Sequence, residues 1–77
     1  YFMSVYELKT GEKGKILSVM AEGAAGTRLS SLGIVKGKEV TALSFSLFKS
    51  SILIECGAVR LGLRKAVALL IEVEKCA

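Results

Sequence analysis

Two adjacent runs in the second half of the chain constrain its fold most. In the first, Ile52, Ile54 and Cys56 occupy alternate positions, with Leu53 and Glu55 between them. In the second, Val59, Leu61 and Leu63 alternate with Arg60, Gly62 and Arg64. A period of two places each set on one face of a strand. Gly57-Ala58, between the runs, has the length and chemistry of a tight hairpin turn. A chain carrying this unit is committed to an antiparallel sheet with one apolar face.

The remaining sequence extends that sheet. Thr10-Gly11-Glu12 reads as a turn after Leu8, the first expected core residue. Gly14 opens an apolar stretch, Lys15 to Ala21, whose shortness and β-branched residues favour a strand. Ile16 and Val19 are three apart, so either both faces of this strand are covered or a bulge intervenes. Ala25, Leu29 and Leu32 fall at helical spacing, which predicts a short helix from about Ala25 to Leu32, ended by Gly33 in a left-handed conformation. Ile34 to Gly37 is a turn. Val40 and Ala42 then alternate with Glu39 and Thr41 in a strand beginning at Lys38, and Ser44 to Ser51 forms the hairpin tip. Lys65 to Ala68 is a single helical turn, and Leu69, Ile71 and Val73 alternate with Leu70, Glu72 and Glu74 in a last strand. The sum is a mainly β fold of about five short strands and one short helix after the first strand, arranged as a small barrel or sandwich.

Composition matters where it excludes functions. Seventy-seven residues make one domain, residues 1–77. A chain this short buries only about 60% of the surface its unfolded form exposes, which leaves little room for a water-excluding active site. There is no histidine and no aspartate, so candidate general bases shrink to glutamates and lysines that no spacing forces together. The chain is read as not an enzyme. The same shortage argues against a transition-metal site within one chain, and no cofactor is expected. Cys56 belongs to an apolar alternating stretch and Cys76 lies near the end of the sequence; two cysteines make no disulfide framework. Gly14-Lys15 is followed by Ile16 and Gly37-Lys38 by Glu39, where a nucleotide phosphate loop needs Ser or Thr. The longest strictly apolar run, Ala66 to Ile71, falls far short of the about 20 residues of a membrane span. No basic segment followed by a long apolar stretch opens the sequence, so a cytoplasmic location without membrane insertion is expected. Tyr1 and Phe2 read as foreign residues ahead of a native start at Met3. The net charge of +4 is scattered singly apart from Arg64-Lys65. It is enough for attraction to an acidic partner, nucleic acid or an anionic membrane face, but charges so spread read first as a solvated, mixed-sign surface. The aromatics are too few for a base-stacking surface, so nucleic acid is not the expected partner.

Three runs carry a family likeness: Glu7 to Ile16 (ELKTGEKGKI), Leu32 to Val40 (LGIVKGKEV), and Leu63-Arg64-Lys65-Ala66 leading to Leu70-Ile71-Glu72-Val73. In their order and spacing, from Leu8 to Glu74, the chain resembles the FeoA family, small partners of the ferrous-iron transporter FeoB. The resemblance implies an SH3-like β-barrel and a role in ferrous iron uptake by docking on the cytoplasmic, GTPase-containing part of the transporter. The same fold unit resembles the C-terminal domain of iron-dependent repressors. A regulator of such a repressor is therefore one alternative function, and a nucleic-acid-binding barrel is another, since small barrels of this class also occur in translation proteins and the chain is basic. Two departures stand out. Val35-Lys36-Gly37 lies where the family commonly has proline before the glycine, and the tip Phe45 to Ser50 is more apolar than usual.

That tip supplies the candidate partner-binding residues. Clustered apolar side chains on a loop mark interaction sites more than single ones do. Leu47 and Phe48, with Lys49, are read as contact residues. Phe45 either joins them or folds back, with or without Leu47, to cap one end of the barrel. Arg64 and Lys65 either meet acidic groups of a partner or form an ordinary solvated face. Arg60 is assigned to the solvated face, with Glu72 or Glu74 as weak ion-pair partners.

Overall fold

A computed structural model describes residues 2–76 of the chain. The expectation about Tyr1 lies outside these residues. The elements run β1 (Phe2–Ser4), a 3-10 turn (Val5–Glu7), β2 (Lys13–Val19), α1 (Gly23–Ser31), β3 (Glu39–Phe45), a 3-10 turn (Leu47–Lys49), β4 (Ser51–Cys56), β5 (Val59–Arg64), α2 (Lys65–Ala68) and β6 (Ile71–Lys75). The strands form one antiparallel sheet in the order β1-β6-β2-β3-β4-β5. Five of them lie where the alternation places them. The additional strand, β1, pairs Met3 opposite Val73 in β6.

The β4–β5 hairpin follows directly from its sequence. Cys56 stands opposite Val59 across the Gly57-Ala58 turn, and Gly57 takes φ +61, a conformation glycine adopts without steric cost. Ile52, Ile54 and Cys56 point inward and are buried. They join Ile16, Val40, Ala42, Leu63, Ile71 and Val73 in one apolar cluster. Each strand from β2 to β6 contributes to that cluster from one face. A flat sheet could not bring those faces together, so the sheet is rolled, as the near-equal extents of 27 × 27 × 24 Å require. The ladder shifts register between Ile16 and Ser18, the second of the two readings left open by the spacing of Ile16 and Val19, and again between Ala42 and Ser44. Bulges of this kind bend and twist a sheet and help it curl.

Helix α1 closes one side of the roll. It ends in a hydrogen-bonded wrap in which Gly33 N–H donates to Ser30 O at 3.0 Å and Ile34 N–H to Leu29 O at 2.9 Å. Gly33 sits at φ +88, and Leu29 and Ile34 meet in the core, the apolar contact that accompanies such an ending. The helix buries Leu29 alone; Ala25, expected on the same face, is exposed. Two further expectations are corrected. Val5 is already buried, ahead of Leu8, because β1 carries the chain onto the sheet before the 3-10 turn. Leu69 belongs to the end of α2, not to the last strand, and is 45% exposed: α2 completes its turn through a bond from Leu69 N–H to Lys65 O before β6 begins. Among the described residues no helix is long and apolar enough to cross a membrane.

Candidate functional site

The tip between β3 and β4 is a built loop. Ser46 closes it: its N–H donates to Ser51 O at 3.0 Å, its carbonyl accepts from Lys49 N–H at 2.8 Å, and its hydroxyl accepts from Ser51 N–H at 2.9 Å. Ser50 Oγ lies 3.0 Å from Ser46 Oγ. Within this frame Phe48 and Lys49 adopt φ +62 and +54, the left-handed region that bulky L residues avoid at a cost of about 1–2 kcal/mol each. Such a conformation persists only where the surroundings hold it.

The hold comes from Tyr6, in the 3-10 turn after β1. Its hydroxyl donates to Lys49 O at 2.6 Å. Its ring meets Phe45 edge-on, with centroids 5.8 Å apart and planes at 88°. Two cations flank this pair: Lys49 Nζ lies 4.9 Å from the Phe45 centroid and Lys65 Nζ 5.4 Å from that of Tyr6. Each such contact is worth about 0.5–1 kcal/mol at an exposed site. Lys65 N–H also donates to Ser50 O at 3.0 Å, so α2 is pinned to the base of the tip.

The Phe45 ring is half-buried and packs on the core. Leu47 and Phe48 stand 79% and 91% exposed. They form an apolar point whose backbone is fixed and whose side chains touch little. An open recess of about 490 Å³ lies beside the tip, between Phe45 and Lys49 on one wall and Tyr6 to Thr10 on the other. Phe45, Leu47, Phe48, Lys49 and Lys65 thus gather at one end of the barrel. Arg64 does not share their contacts; it lines a separate groove with Arg28. Arg60 pairs with Glu55, directly opposite on β4, at 2.9 Å, in place of the Glu72 or Glu74 expected from the sequence. Tyr6 was not legible as a site residue. Its partners lie far along the chain, and nothing in its neighbourhood marks it.

Other surfaces offer less chemistry. Cys56 Sγ lies 3.8 Å from Gly33 O. No group of three or more His, Cys, Asp or Glu side chains able to hold a metal ion occurs among the described residues. Glu12 accepts hydrogen bonds from Lys75 Nζ and, at 2.7 Å, from Lys9 N–H. The Lys75 bond, seconded by the Lys9 amide, holds its carboxyl below the ordinary carboxylate range.

Comparison with known proteins gives a consistent picture. A family model described as the FeoA domain matches residues 3–75. The structure of a FeoA protein from Chlorobium tepidum superposes with a TM-score of 0.91 at 35% identity, covering 97% of this chain and 71% of that one. FeoA from Stenotrophomonas maltophilia, solved in complex with zinc and described as a prokaryotic SH3 domain protein, gives a TM-score of 0.83 at 30% identity, covering 94% and 89% of the two chains. A manganese-dependent transcriptional repressor gives 0.86 at 17% identity, over 97% of this chain and 42% of the repressor, and shares the fold alone. No curated protein matches the chain in sequence.

Proposed function

Because the chain belongs to the FeoA family, which is tied to ferrous iron transport, we propose that it is a cytoplasmic accessory protein that docks on the GTPase-containing part of a FeoB-type transporter. It acts by contact, not by turnover. The observation that carries this reading is the tip: Leu47 and Phe48 are presented almost wholly to solvent on a backbone that Tyr6 and Ser46 hold in a costly conformation. A preordered apolar point loses little conformational freedom on binding, which is where much affinity is otherwise lost. Large apolar side chains seated in a partner's pocket supply most of the energy of such contacts. Lys49 and Lys65 border the tip and add attraction to an acidic rim, mainly as a gain in association rate.

The test is a calorimetric titration of the chain into the soluble GTPase domain of the transporter, with and without bound nucleotide. Leu47→Glu and Phe48→Glu are compared with the parent. Submillimolar binding that both variants weaken at least about tenfold is the expected result. Equal affinity of parent and variants, with the fold intact by circular dichroism, removes the tip from the interface.

A further inference from the structure

Strand β5 is the last of the sheet on its side. The direction of its backbone groups follows from the register. Cys56 and Val59 close a two-residue turn, and beyond the other end of the ladder Lys65 N–H donates to Ser50 O at 3.0 Å. Bonded and non-bonded pairs alternate along an antiparallel ladder. The bonded pairs are therefore Cys56–Val59, Ile54–Leu61, Ile52–Leu63 and Ser50–Lys65. Arg60, Gly62 and Arg64 belong to the other set, and their N–H and C=O groups point away from β4 toward the free edge.

A groove of about 220 Å³ runs along that edge, walled on the strand side by Leu61 through Arg64 and on the other by Ala25, Arg28 and Leu29 of α1. Consecutive strand residues line it, whereas a sheet face would contribute only every second one. The groove thus follows the edge. Its walls are apolar, and its two charged groups are both arginines. Neither has a carboxylate within 4.0 Å; the ion pairs among the described residues are Arg60–Glu55 and Lys75–Glu12. Gly62, at the middle of the edge, carries no side chain beside its outward N–H and C=O.

We propose that the β5 edge and its groove form a peptide-binding site that takes an extended acidic segment of another protein as an added strand. Main-chain groups of Arg60, Gly62 and Arg64 bond the incoming strand, its apolar side chains enter the groove, and its carboxylates pair with Arg28 and Arg64. Charge selects this occupant over a second copy of the chain. Two β5 edges paired antiparallel about Gly62 would set Arg60 of one chain against Arg64 of the other, and like charges directly opposite are destabilising. The other free edge, β1, is Phe-Met-Ser and carries no carboxylate. The site does not depend on which protein the tip engages.

The experiment is an amide NMR titration of the isotopically labelled chain with the peptide acetyl-Val-Glu-Val-Glu-Val-amide, and separately with its lysine counterpart acetyl-Val-Lys-Val-Lys-Val-amide. The glutamate peptide is expected to shift the amides of Arg60, Gly62 and Arg64 most, with Arg28 and Val67 following. The lysine peptide, and the glutamate peptide on an Arg28→Gln/Arg64→Gln chain, bind roughly fivefold or more weaker. Gly62→Pro, which deletes an outward donor while leaving the β4 bonds in place, abolishes the shifts. The proposal is overturned by shifts centred on β1 or the tip, by equal binding of the two peptides, or by no shift up to about 5 mM peptide, an affinity too weak for recognition.

Discussion

Replacing Phe48 with glycine separates what the tip does for the fold from what it does for docking, because the two effects have opposite signs. Phe48 sits at φ +62 and is 91% exposed. Glycine removes the left-handed penalty of an L residue, about 1–2 kcal/mol. It gives back about 0.4–1 kcal/mol by enlarging the freedom of the unfolded chain. So exposed a ring contributes almost no burial, and the balance is a gain centred on about 0.8 kcal/mol, within limits of about 0 and 1.6. For a domain of this size that raises the unfolding midpoint by about 2–8 °C. The same change removes an aromatic side chain whose burial in a partner pocket is worth about 1.5–3 kcal/mol, so affinity for the transporter's GTPase domain falls roughly 10- to 150-fold. Thermal unfolding followed by circular dichroism and calorimetric binding, run on the same preparation of Phe48→Gly, read both numbers. A lowered midpoint would show that the ring is packed and the backbone unstrained. An unchanged affinity would show that the tip is not where the partner binds.

Tyr6→Phe deletes the hydroxyl that donates to Lys49 O; it is expected to cost about 0.5–1.5 kcal/mol and to speed hydrogen exchange at the Lys49 and Ser51 amides while leaving β6 protected. Gly14→Ala would place a Cβ 3.0 Å from Val73 Cγ2 and 3.1 Å from its Cβ. Val73 is fixed in the core, so a loss of about 1–3 kcal/mol in denaturant unfolding is expected, and a neutral result would mean that β2 and β6 are less tightly packed than described. Glu12→Gln bears on acid stability. The Glu12 pKa is depressed in the folded chain, so its contribution is complete above the ordinary carboxylate pKa and is lost as pH falls through the depressed value. Glu12→Gln should therefore lower stability at neutral pH and close the gap to the parent in acid, as read from unfolding midpoints across pH; a gap that persists in strong acid would assign the effect to something other than this carboxylate.

The parts of the fold legible in the sequence are those whose cause is local. Alternation at Ile52, Ile54 and Cys56, the bulge allowed by Ile16 and Val19, and the helix-ending Gly33 each express a constraint within a few residues. Val5 and Tyr6 sit in a stretch with no period, and what buries Val5 is the pairing of Met3 with Val73 at the far end of the chain. Ala25 misled because alanine suits either side of a helix, and the chain needs only Leu29 to anchor α1. Leu69 misled because its alternation with Ile71 and Val73 continues one step past the true start of β6. The tip was visible as an apolar loop, but its left-handed backbone and the bond from Tyr6 hold no local signature. The groove beside β5 was invisible for the same reason: Arg28 and Arg64 become neighbours only when the sheet rolls.

The position of β6 between β1 and β2 has a consequence for synthesis. As the polypeptide leaves the ribosome, β2, β3, β4 and β5 can assemble in order, each beside its predecessor. One side of β2 and the whole of β1 must wait for β6, which is translated after the other five strands. Until then a row of backbone groups and the apolar side chains of Ile16 and Leu8 face solvent. The nascent chain is thus open to misassembly up to the moment Ile71 to Lys75 clear the exit tunnel, and slower elongation between β5 and β6 would prolong that hazard.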